Sequence, residues 1–85
     1  VAILLLTLTA TPPPPVAASV LLDRVRNNES MAKTLCDQFK AVNAAGESAL
    51  GRPTVERIAR SENISAMDAE VLISYVIGLH CSDVR

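Results

Sequence analysis

His80 and Cys81 are neighbours near the end of the chain, and Cys36 and Asp83 are the other residues that could join them in chemistry. Two reactions come to mind, a thiol activated by an imidazole and a metal held by sulfur, nitrogen and oxygen. The first needs the imidazole within hydrogen-bond reach of the sulfur. Adjacent residues on a helix point about 100° apart and do not face each other. The chain has one His, so no second base can take over. The metal reading has four donors, yet no C-x-x-C or H-x-x-x-H spacing organises them. A His at a helix end more commonly meets the last carbonyls and the negative end of the dipole. Two further uses of the sulfurs stay open, a Cys36–Cys81 disulfide and a pair of free thiols.

The compartment favours the disulfide. "VAILLLTLTATPPPPVAA" carries no charge, while all eight Lys/Arg and nine Asp/Glu lie from Asp23 onward. Val1 to Leu8 is too short to span a bilayer, which takes about 20 apolar residues. It has the length of a secretory h-region, and Val16-Ala17-Ala18 supplies the small residues of a cleavage site. Pro12 to Pro15 would end any helix before that site. Residues 1–18 are therefore expected to be a signal remnant and 19–85 a single domain. The start lacks a Met and a basic n-region, which fits a truncated sequence; a membrane anchor is the alternative. Export to the periplasm or beyond is the expectation.

Cleavage would leave 67 residues, since 85 minus 18 is 67. A domain of that size buries only about 60% of its unfolded surface. One Phe, one Tyr and no Trp supply few large anchors. Two Cys in a small exported domain then read as a staple. Closing a loop of about 45 residues contributes on the order of 4 kcal/mol in the chain-entropy model.

The elements that must position these residues read as helices. Val20, Leu21, Leu22 and Val25 form an apolar side, after which Asn27-Asn28 either breaks the helix or lies within it. With a break, Ser30 is the expected cap. Met31, Leu35, Phe39 and Val42 recur at spacings of four, four and three, one stripe on a helix with Cys36 at its edge. Gly46 ends that run. After the polar loop "GESALGR", Pro53 suits the first turn of a short helix. Val55, Ile58 and Ala59 give that helix a narrow apolar face, and Asn63 stops it. Ser65 opens the last helix with the S-x-x-D form of a capping box. Val71, Leu72, Ile73, Tyr75, Val76, Ile77 and Leu79 then cover nearly its whole circumference, which predicts a central, buried helix. A strand over "VLISYVIG" is rejected because nothing is present to pair with it. The expected fold is all-α, a small disulfide-closed bundle of three to four helices with a central apolar C-terminal helix.

"AKTLCDQF", "PTVERIARSENIS" and "DAEVLISYVIGLHC" together resemble the actinobacterial-type two-cysteine domain of unknown function, a family of short exported bacterial domains. The resemblance runs from Met31 to Ser82. It implies an exported helical domain closed by Cys36 and Cys81, and it implies no activity. The chain departs from it in "CSDVR", where such domains commonly carry Cys-Pro.

The net charge of −1 and the scarcity of stacking rings argue against nucleic acid. Arg52, Arg57 and Arg60 are interleaved with Glu56 and Glu62, as on a solvated face. "NES" at Asn28 and "NIS" at Asn63 match the glycosylation sequon. No set of nucleophile, base and orienting group converges, so an enzyme, a cofactor and a metal are not expected. The expectation is a non-enzymatic module whose partner is an envelope or extracellular protein, with membrane contact only through an uncleaved N-terminus. The alternative is a carrier with Tyr75 and Met67 lining an apolar cavity between helices.

Overall fold

The computed structural model describes residues 18–85. The expected signal at residues 1–18 lies outside the described residues, except for Ala18. Four helices occur in order: α1 (Ala18–Arg26), α2 (Glu29–Ala44), α3 (Arg52–Glu62) and α4 (Ala66–His80), with no strand among the described residues. The expected cleavage point after Ala18 falls in the first turn of α1.

The chain does break at the asparagines. Asn27 and Asn28 donate to the carbonyls of Asp23 and Val25, which closes α1. Asn28 then turns extended, and its side-chain oxygen accepts from the Met31 amide at 3.1 Å. Asn28, not Ser30, is therefore the cap. Asn and Ser cap about equally well, and capping at Asn28 also places Glu29 in the first turn, where a carboxylate favours the dipole. Ser30 lies inside α2, and its carbonyl accepts from the Thr34 hydroxyl.

Leu35, Phe39 and Val42 of α2 are buried as their spacing predicts, joined by Ala32 and Cys36, while Met31 is partly buried. Gly46 leaves the helix at φ +82, a conformation that costs glycine little. Gly51 is needed for a different reason. A Cβ there would sit 2.9 Å from the Ser48 carbonyl oxygen. Pro53 stands in the first turn of α3, and Val55 and Ile58 face inward together with Thr54. Asn63 ends α3 in the left-handed conformation, and the Ile64 amide reaches back to the Ala59 carbonyl. The Ser65 hydroxyl accepts from the Asp68 amide at 3.0 Å and starts α4.

α4 packs against α1, α2 and α3, so it is the central element of the bundle. It is not buried all round. Ala69, Leu72, Ile73 and Val76 point into the core, whereas Val71 is 46% and Leu79 61% exposed. The buried positions fall within one face, so the three other helices all lie on that side of α4. Burying the opposite face would take a further layer. No helix among the described residues is long and apolar enough to cross a membrane.

Candidate functional site: the disulfide corner and the outer face of α4

Two features of the surface could serve function, the corner where α2 meets the end of α4 and the outer face of α4. At the corner, Cys36 and Cys81 form a disulfide with their Cα atoms 6.0 Å apart, the usual separation for such a bridge. Cys36 comes from the edge of the α2 stripe. Cys81 is the first residue past α4, and its amide still donates to the Ile77 carbonyl. Both residues are buried. The bond uses the two sulfurs that a thiol nucleophile or a metal site would require. Asp83 is exposed, and no group of three or more His, Cys, Asp or Glu among the described residues is placed to hold a metal ion.

His80 is exposed at the last turn of α4. It borders an open depression with Glu29, Lys33, Cys36, Asp37 and Lys40. Two cations and two anions line this depression apart from His80, and Lys33 is paired with Asp37 at 2.9 Å. The balance gives no preference for an anion or a cation. Arg57 and Arg60 are exposed, and Arg52 pairs with Glu56 at 3.0 Å, which makes this a solvated face as expected. Asn28 is engaged in its cap, and Asn63 lies exposed in the turn between α3 and α4.

The outer face of α4 carries Met67, Val71, Ser74 and Gly78 at spacings of four, three and four, all exposed. No charged residue occurs from Val71 to Leu79. Met67 is 74% exposed, so it lines no cavity between helices. Tyr75 is half-buried beside this face. The internal cavity expected from these two residues is thus replaced by an external apolar surface. Met67 is directed outward because its position on α4 is opposite the face that Leu72 and Val76 commit to the core.

A family model described as a domain of unknown function, DUF8664, matches residues 22–81. The chain belongs to the DUF8664 family. The matched stretch of this DUF8664 domain begins within α1 and ends on Cys81, so it takes in both cysteines of the bridge and the outer face of α4. It overlaps the Met31 to Ser82 stretch that carries the resemblance to a two-cysteine domain of unknown function. No curated protein and no solved structure matches the chain significantly.

One structural contact of the DUF8664 domain has no counterpart in the sequence pattern. Asn43, near the end of α2, holds Arg85 by its side-chain amide, and Val84 is carried into the core beside it. Nothing local in the sequence marks two residues so far apart as partners.

Proposed function

We propose that this DUF8664 domain is an exported, non-enzymatic module that acts in the cell envelope or outside the cell by protein contact. The observation that carries the reading is the outer face of α4. Met67 and Val71 stand exposed one turn apart, with Asp68 and Glu70 between them in sequence, and the nine residues from Val71 to Leu79 carry no charge. Such a surface gains free energy when covered, at about 25 cal/mol per Å² of apolar area removed from water. Exposed apolar side chains one turn apart on a helix face support a contact surface there when they form part of a larger patch. Export is supported by the uncharged N-terminal stretch and by the disulfide, which fits an oxidising compartment. The resemblance to short exported bacterial domains points the same way.

The test places a photo-crosslinking amino acid at Val71 in the protein expressed from its full reading frame in its own host. The expected result is an exported product that begins near Ser19, as read by intact mass, and a defined adduct with an envelope or extracellular protein (itself included). Retention in the cytoplasm, or irradiation that yields no adduct, would contradict the proposal.

A further inference from the structure

We draw no further inference here: the strongest candidate, the exposed face of α4 that carries Met67, Val71, Ser74 and Gly78, goes no further than the contact surface already described, because nothing in the structure shows what covers it.

Discussion

Asn43 grips Arg85 with both atoms of its side-chain amide. Its Oδ1 accepts from the Arg85 amide at 2.7 Å, and its Nδ2 donates to the Arg85 carbonyl at 2.6 Å. The Ala49 amide adds a third bond to that carbonyl at 2.8 Å. The stretch after Cys81 is thereby tied to the end of α2 and the adjoining loop, with Val84 buried between the tie and the disulfide.

Asn43→Ala should therefore lower stability by about 1–2 kcal/mol, the range for losing hydrogen bonds of this kind. In a domain this small, each 1 kcal/mol shifts the melting temperature by about 4–8 °C. Exchange of the Arg85 amide should quicken while the α4 amides stay protected. Asn43→Asp should cost more, because it sets a carboxylate against the Arg85 carbonyl. A melting curve identical to wild type in both variants would show that the tie contributes nothing.

Two leucines on one helix give the next comparison. Leu72 is 1% exposed in the core and Leu79 is 61% exposed. Leu72→Ala should cost about 2–5 kcal/mol, enough to unfold much of so small a domain. Leu79→Ala should stay within about 0.5 kcal/mol. Urea denaturation of both variants measures the pair, and equal losses would place the core elsewhere.

These cases show which parts of the fold were legible in the sequence. Gly46, Pro53, Asn63 and Ser65 mark helix ends by local chemistry that acts within a few residues, and all four stand where that chemistry puts them. The α2 stripe was legible because polar residues separate its apolar ones. On α4 the apolar residues are too many for periodicity to distinguish inside from outside. Only the placement of α1, α2 and α3 on one side decides that Leu72 is buried and Val71 is not. The disulfide was readable from two cysteines in a charge-segregated chain. The Asn43 tie was not, since an amide near a helix end has many uses and the choice of Arg85 depends on the finished fold.

The break between α1 and α2 is testable by its cap. Asn28→Ala removes the acceptor for the Met31 amide and should cost about 1 kcal/mol. Ser30→Ala should cost little, because Ser30 is exposed and offers α2 only its backbone. Comparing the two melting temperatures decides the matter. A larger loss at Ser30 would move the helix start.

The Cys36–Cys81 bond joins residues 45 apart in sequence. In the chain-entropy model such a closure destabilises the unfolded state by about 4 kcal/mol, comparable with the whole stability expected of a small single-core domain. Reduction should therefore lower the unfolding free energy by about 2–5 kcal/mol, read as a shift of the urea midpoint between oxidised and reduced protein. Cys36 and Cys81 are only 5% and 4% exposed, so a reductant reaches the sulfurs mainly when the corner opens. Reduction of the native protein should thus be slow and should accelerate with sub-denaturing urea. The denatured, unreduced protein should show no thiol to Ellman's reagent, and its mass should rise by two hydrogens on reduction. Opening the bond should also loosen the C-terminal residues beyond it, because Val84 and the Asn43–Arg85 tie lie within four residues of Cys81. Amide exchange at Val84 and Arg85 should then quicken before exchange in α3. Two free thiols in freshly purified protein, with stoichiometric zinc bound, would instead assign Cys36 and Cys81 to a metal.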